Sequence, residues 1–486
     1  MASTGERIAS RRAGFVQRIV TGGADTLAWV AVAWLATILP ATAAVAQVPD
    51  DRIAAQAHAY MQARVEAGFF SGVVLIARDG EPVFAGAYGF ADEDARLPNA
   101  IDTRFQIASI TKIFTASVIM RLQDGGRLHV DDPVCRYLDP CPDSWRPVTI
   151  RHLLTHTSGL PNHTVDTRFV IDEAFSLASR SPITPEQLVA MVGERPLQAP
   201  PGERYSYTNA GYAVLALVAE AAGGQPYEAL LQALVLTPLE LGDTGVYRPD
   251  SPGVAKGYVP DGVDNARAPF MDPSWLYGSG DLCSTVGDLL KLDRALTGGA
   301  WLSRETLAEM WTADRGAYGY GWQIMASPRD GFSRPFVFHA GGNHGFSTDY
   351  LRYDGDGVSL FILSNLGSAP MLPISRDLSA IVFGDPYRAP VVRRPAAVSP
   401  DVLADYAGRY RIAPGAHLTL RVEDGRLSVQ VDGQPPDLAI PESDTRFYSR
   451  LGDTQMTLVR DDSGTVTGLV IHQGGRDIAA ERIAPD

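Results

Sequence analysis

The sequence predicts an α+β chain: an antiparallel sheet flanked by helices, with a mostly helical region inserted in it, followed by a small all-β domain. Three observations predict it. β-rich runs stand near both ends of the first 388 residues, with helical patterns between them. A proline-rich stretch, "APVVRRPAAVSP" at 389–400, then interrupts the chain. Beyond it, short alternating strands recur around Asp-Gly turns. Strand-rich ends around a helical middle fold most simply as one sheet whose first and last strands lie side by side, with the helices packed on it.

Residues 1–46 read as an export signal. Arg7, Arg11, Arg12 and Arg18 form a basic stretch, Leu27 to Leu39 an apolar one, and Ala44-Val45-Ala46 a small-residue cleavage site before Gln47. The apolar run is short for a membrane span, so an uncleaved anchor is the lesser alternative. Arg11-Arg12 raises twin-arginine export, but the pair stands far from the apolar run. The expectation is a periplasmic or extracellular chain with no stable span after cleavage.

Asp50 to Ala67 carries Ile53, Ala57, Tyr60, Met61 and Val65 at helical spacing and ends at Gly68. "SGVVLIARDGEPVFAGAYGF" follows as two strands around Arg78-Asp79-Gly80. A long middle alternates helical patterns with Pro/Gly-rich loops. Strands return in "PFVFHAGG", "FSTDYLRY" and "VSLFILSN", and "PISRDLSAIVFG" closes as an amphipathic helix. The main domain is therefore 47–388, the linker 389–400, and 401–486 a small barrel or sandwich. In that last piece Leu418, Leu420 and Val422 alternate, Asp424-Gly425 turns, and Leu427, Val429 and Val431 alternate again.

Apolar residues at 45% and charged ones at 20% of 486 describe a globular chain. A net charge of −14 with no basic run after the N-terminus excludes nucleic acid as a partner. Cys135 and Cys141 flank "RYLDP", close enough for a disulfide in an exported chain; two buried thiols are the alternative, and Cys283 is left over.

Three constellations can carry chemistry. Lys112 is one of three lysines and stands three residues after Ser109, at the first turn of the apolar helix "SITKIFTASVIMRLQDGG". Positions i and i+3 share a helix face, so the hydroxyl and the amine can meet, and burial would lower the amine's pKa until it can take the serine proton. The bland reading is a capping serine and a surface lysine, but Ile110, Ile113, Phe114 and Val118 leave little polar face. Tyr207 and Asn209 in "PGERYSYTNAGY" offer a phenol and an amide before a helix, or merely loop residues that cap it. His339 ends an apolar strand in "FHAGGNHGF". Gly341 and Gly342 beside it leave backbone that a substrate can approach, or form an ordinary glycine turn.

In order, "SITK", "YTN" and "HAG" resemble the signature of the serine β-lactamase and penicillin-binding protein superfamily, in its class C-like branch of exported serine hydrolases. "IRHLLTHTSGLP", "YGSGDLCSTVGDLLKL" and "YGYGW" are similar to it too, over about residues 50–385. Residues 400–486 resemble a small β domain often appended to such hydrolases. The resemblance implies Ser109 as nucleophile, Lys112 and Tyr207 handling its proton (either as base), Asn209 steadying Lys112 and substrate, and the N–H groups of Ser109 and Gly342 holding the oxyanion. It implies no cofactor and no metal. The substrate would be a small ester, amide or peptide, cell-wall fragments included. Lactam-hydrolysing members usually carry lysine where this chain has His339. Histidine there is similar to D-alanyl-D-alanine peptidase, D-aminopeptidase and esterase members, and favours those activities over a true β-lactamase. The imidazole is expected to gain charge near its ordinary pKa of about 6.5 and then to attract carboxylates.

Rivals come from other classes. His152 and His156 have metal-ligand spacing, but Leu153 breaks the His-Glu-x-x-His pattern. No Gly-x-Ser-x-Gly of an α/β-hydrolase occurs. A non-catalytic penicillin-binding sensor would keep the fold, though Ser109, Lys112 and Tyr207 are all present.

Overall fold

The computed structural model describes residues 47–164, 177–434, 436–451, 454–473 and 476–483. Residues 1–46, where an export signal is expected, and residues 165–176 lie outside them. Helix α1, Asp50–Glu66, starts with two acidic residues and buries Ile53, Ala57, Tyr60 and Met61 along one face. Strands β1 (Gly72–Arg78) and β2 (Glu81–Tyr88) form the first hairpin. Then come α2 (Thr111–Asp124), α3 (Ile150–Leu154), α4 (Pro185–Gly193), α5 (Asn209–Gly223) and α6 (Val286–Gly298). The chain returns through β3 (Gln323–Met325), β4 (Phe336–Asn343), β5 (Phe346–Tyr353) and β6 (Val358–Ser364), and α7 (Met371–Phe383) ends the domain.

The main sheet has the order β3-β4-β5-β6-β1-β2. The first and last long strands pair antiparallel from Gly72↔Ser364 to Arg78↔Val358. Alternation along β1 sends Val74 and Ile76 to a core shared with α1 and α7, and Val73, Leu75 and Ala77 to the core under α2, α5 and α6. Both faces are covered, which is why β1 and β6 read as unbroken apolar runs. A fully buried side chain of this kind contributes about 1.5–3 kcal/mol. The helical middle, where helices and Pro/Gly-rich loops are expected, also holds a polar hairpin, Tyr258–Asp261 with Asp264–Arg267. Cys135 and Cys141 are disulfide-bonded, and Cys283 is free and buried.

Residues 385–399 have no regular structure. Helix α8, Pro400–Tyr406, leads into eight strands: β7 (Gly408–Ala413), β8 (Ala416–Glu423), β9 (Arg426–Val431), β10 (Asp437–Pro441), β11 (Arg446–Tyr448), β12 (Gln455–Arg460), β13 (Val466–Gln473) and β14 (Arg476–Ile483). β14 pairs back on β7, so the domain is a closed barrel and not a sandwich. Arg450 fastens it to the main domain, donating to the carbonyl oxygens of Gly68 (2.7 Å), Val263 (2.9 Å) and Asp264 (2.7 Å). No helix among the described residues is long and apolar enough to cross a membrane.

Candidate active site

Ser109 sits in a single 3-10 turn, Ala108–Ile110, that runs straight into α2. Ala108 holds a left-handed φ of 46°, a strained backbone for a residue with a side chain. Every residue of α2 from Thr111 to Met120 is buried, so Lys112 has no water to reach and is 0% exposed. Its Nζ lies 3.1 Å from Ser109 Oγ, 2.8 Å from Asn209 Oδ1 and 2.6 Å from the Ser279 carbonyl oxygen. Burial holds its pKa well below the usual lysine value. A neutral amine has two N–H groups and one lone pair. In that form the two carbonyl-type oxygens, which can only accept, take the N–H groups, and the lone pair is left for Ser109.

The Tyr207 hydroxyl donates to the same Ser109 Oγ at 2.9 Å. Tyr207 precedes α5, whose N-terminus Thr208 caps by accepting from the Ala210 N–H. Asn209, at the first helical position, is held on three sides. Its backbone N–H donates to Asn162 Oδ1 (3.0 Å), its Nδ2 to Thr164 Oγ1 (2.8 Å), and its Oδ1 accepts from Lys112. His156 packs under the Tyr207 ring, 4.3 Å between centroids, and burial keeps it neutral.

His339 differs from the sequence expectation. It is 1% exposed. Its Nδ1 lies 2.7 Å from the Ala340 carbonyl oxygen, which can only accept, so Nδ1 carries the proton. Nε2 then accepts from the Tyr318 hydroxyl at 2.8 Å. Burial first, and the Lys112 charge second, push its pKa down to about 3. The imidazole therefore does not charge near pH 6.5, and both nitrogens are engaged inside the protein. Gly341 also has a different part. A Cβ there would stand 2.3 Å from the Ile107 carbonyl oxygen and 2.2 Å from Thr348 Oγ1, so its bareness lets β4 lie against the turn that carries Ser109. The side open to a substrate belongs to Ala340 and Gly342.

These residues meet at a cleft of about 350 Å³, lined by Ser109, Tyr207, Asn209, His339 and Gly342 among others. No arginine or lysine is among its described lining residues. Sequence reasoning missed Ser279, Asn162, Thr164 and Tyr318. It also missed Asp281, buried behind Lys112, whose Oδ2 accepts from the Gly278 N–H while Oδ1 has no hydrogen-bond partner among the described residues. Burial raises that carboxyl to about 7. His152 and His156 serve elsewhere: His152 Nδ1 accepts from the Thr149 N–H in the cap of α3, and His156 Nδ1 from the Thr208 N–H.

Residues 53–380 match the model of the family Beta-lactamase, and residues 392–482 that of a Domain of unknown function (DUF3471). Penicillin-binding protein 4* of Bacillus subtilis is 29% identical over 441 residues, 84% of this chain and 94% of that protein. Esterase EstB of Burkholderia gladioli is 30% identical over 300 residues, 53% of this chain and 73% of that protein. Among solved structures, D-amino acid amidase of Ochrobactrum anthropi, complexed with D-phenylalanine, superposes with a TM-score of 0.55 at 25% identity, over 65% of this chain and 91% of that one.

Proposed function

The chain belongs to the β-lactamase family, and on that premise we propose that it is an exported enzyme of the class C-like branch that cleaves uncharged esters, or amides and peptides of D-amino acids, through an acyl-enzyme on Ser109. Its main domain has the β-lactamase/transpeptidase fold, and the chain is a serine hydrolase of that family.

In the proposed reaction Ser109 Oγ attacks the substrate carbonyl carbon while its proton passes to the Lys112 lone pair. The N–H groups of Ser109 and Gly342 take the oxyanion. Tyr207 delivers a proton to the leaving alcohol or amine as the tetrahedral adduct collapses, and regains one from Lys112, so both groups are restored in the acyl-enzyme. Water then attacks the ester carbonyl and gives a proton to the same pair, which returns it to Ser109 Oγ as the C–O bond breaks and the acid leaves.

The observation that carries the substrate class is a cleft whose described wall residues include no arginine or lysine. His339 is neutral and internally bonded, and no described wall residue is arginine or lysine. A substrate recognised through its carboxylate, as penicillins and cephalosporins are, gains no charge-assisted bond there. The names of an esterase and a D-amino acid amidase among the relatives are in line with this reading.

The test is a turnover panel of nitrocefin, p-nitrophenyl esters of several chain lengths and D-alanyl amides and peptides, with intact-mass detection of the adduct. Turnover of an ester or D-amide above nitrocefin, with one adduct that Ser109→Ala lacks, is expected. Nitrocefin as the best substrate overturns the substrate class. Acylation without turnover of anything points to a sensor instead. Export is checked separately: the secreted chain should start at Gln47.

A further inference from the structure

The C-terminal barrel holds a cavity of about 750 Å³, larger than the cleft beside Ser109. That size falls within the range of small-molecule sites, about 300–1,000 Å³. Its wall comes from the inner faces of several strands: Ile412 of β7, Leu418 of β8, Val429 and Val431 of β9, Met456 of β12 and Ile471 of β13.

The barrel is a cup. Its base is closed by α8, where Leu403 and Tyr406 join the barrel core and the Tyr406 hydroxyl donates to the Asp444 carbonyl oxygen in the β10–β11 turn at 2.7 Å. The cavity lies at the opposite end, reaching Ala413, Gln434, Ser449 and Thr454 beside other hairpin turns. The described side chains do not fill it. Ile478 faces the same side as Ile471, its cross-strand partner, yet is 40% exposed. Closed eight-stranded barrels are of a size to be filled by their own side chains or to hold one small ligand.

Among the described residues one charged group stands in this mostly apolar wall. Asp437 accepts from the Ser449 hydroxyl and, through Oδ1, from the Leu438 N–H at 2.7 Å. Among the described residues no cationic side chain bonds it. Two neutral donors and no described cation leave this carboxylate short of a positive charge, and burial raises its pKa in line with that. We propose that the barrel binds a small amphiphile, an apolar chain or ring that fills the cup with a protonated amine that pairs with Asp437. The site is separate from the Ser109 cleft and does not depend on what that cleft hydrolyses.

The probe is decylamine, titrated calorimetrically into the full chain after Ser109 has been blocked with a fluorophosphonate, with decanoate and decanol as comparisons. One decylammonium per chain is expected, with decanoate at least tenfold weaker. The chain is acidic overall and attracts any amine, so Asp437→Asn decides the head group. It should weaken decylamine about tenfold, to the level of decanol, and leave decanol unchanged. Ile478→Trp, at a position that is already solvated, should fill the mouth and weaken all three without lowering the melting temperature. The proposal is overturned by absence of saturable binding, by decanoate binding as tightly as the amine, or by binding that survives in folded Ile478→Trp unchanged.

Discussion

The Nζ of Lys112 and the carbonyl oxygen of Ser279 stand 2.6 Å apart, and the lysine is wholly buried. The pair fixes the direction of the amine. A carbonyl takes one N–H, the Asn209 amide oxygen takes a second, and what remains of a neutral amine points at Ser109. The device depends on a group that can lose its proton.

Lys112→Arg should therefore abolish activity although it keeps the charge. A guanidinium stays protonated in proteins and has no lone pair to offer. The expected loss in kcat/KM is about 10²–10⁴-fold, the usual worth of a positioned base. Ester turnover and the rate of Ser109 labelling check it, and near-normal rates in a folded variant would show that Lys112 acts only through its charge.

Gly341→Ala should separate β4 from the nucleophile's turn. The new Cβ would meet the Ile107 backbone oxygen at 2.3 Å, and backbone cannot rotate away. Overpacking of this kind costs about 1–3 kcal/mol. Displacement of Gly342 relative to Ser109 by about 1 Å should lower kcat/KM about 100-fold. Chemical denaturation and steady-state kinetics report the two effects; wild-type values in both would mean the strand has room that the geometry denies.

These two cases show how far the site is legible in the sequence. Ser109 and Lys112 are readable because helical spacing puts i and i+3 together, and the apolar residues around them signal burial. Tyr207 and Asn209 are readable as a motif before a helix. Ser279 is not, because a backbone carbonyl has no side-chain signature. The Tyr318–His339 bond joins a loop to a strand, and only the sheet's register brings them together. The main sheet was legible because β1 and β6 are apolar runs bounded by Gly and Asp-Gly turns. The hairpin Tyr258–Arg267 was not, since "YVPD" and "DNAR" carry a proline, charges and no alternation.

Asp281→Asn should stabilise the protein at neutral and alkaline pH. Burial moves the Asp281 carboxyl from 3.8 to about 7, so the native state keeps a proton that the unfolded chain has already released. The stability tied to that proton is present below pH 4, falls as pH rises from there, and is lost above about pH 7. Ionising the native carboxyl costs at most about 4 kcal/mol, and relaxation around it lowers the figure. Melting curves of the two proteins should coincide at pH 4 and diverge at pH 8, with the variant higher. A variant that is less stable at pH 8 would mean the charge is compensated, by Lys112 foremost.

Removal of the barrel should leave the chemistry in place. None of the described cleft residues lies beyond Arg388, and Arg450 reaches the main domain through carbonyl oxygens that water can serve as well. A chain ending at Arg388 should fold, label at Ser109 and melt several degrees lower. A folded truncate that fails to label would give the barrel a part in assembling the cleft.

His339 allows the sharpest check, because the structure reverses what its residue type suggests. An exposed imidazole would charge near pH 6.5 and begin to attract carboxylates. Here it is pushed down to about 3, so KM for an ester and for a β-lactam should show no step from this residue between pH 8 and pH 5. The same property has a stability consequence. A histidine whose pKa is depressed on folding stabilises the protein above its unfolded pKa, and that contribution is lost as pH falls, because the unfolded chain gains a proton first. By pH 5 the loss is about 2 kcal/mol, and the figure holds for any native pKa well below 5. His156 and His163, also buried and lowered, add to the measured total, so the comparison is between wild type and His339→Gln. The variant should lose less stability between pH 8 and pH 5 by about that amount. Equal losses in the two proteins, together with a KM step near pH 6.5 that His339→Gln removes, would mean that His339 is solvated and titrates in the cleft.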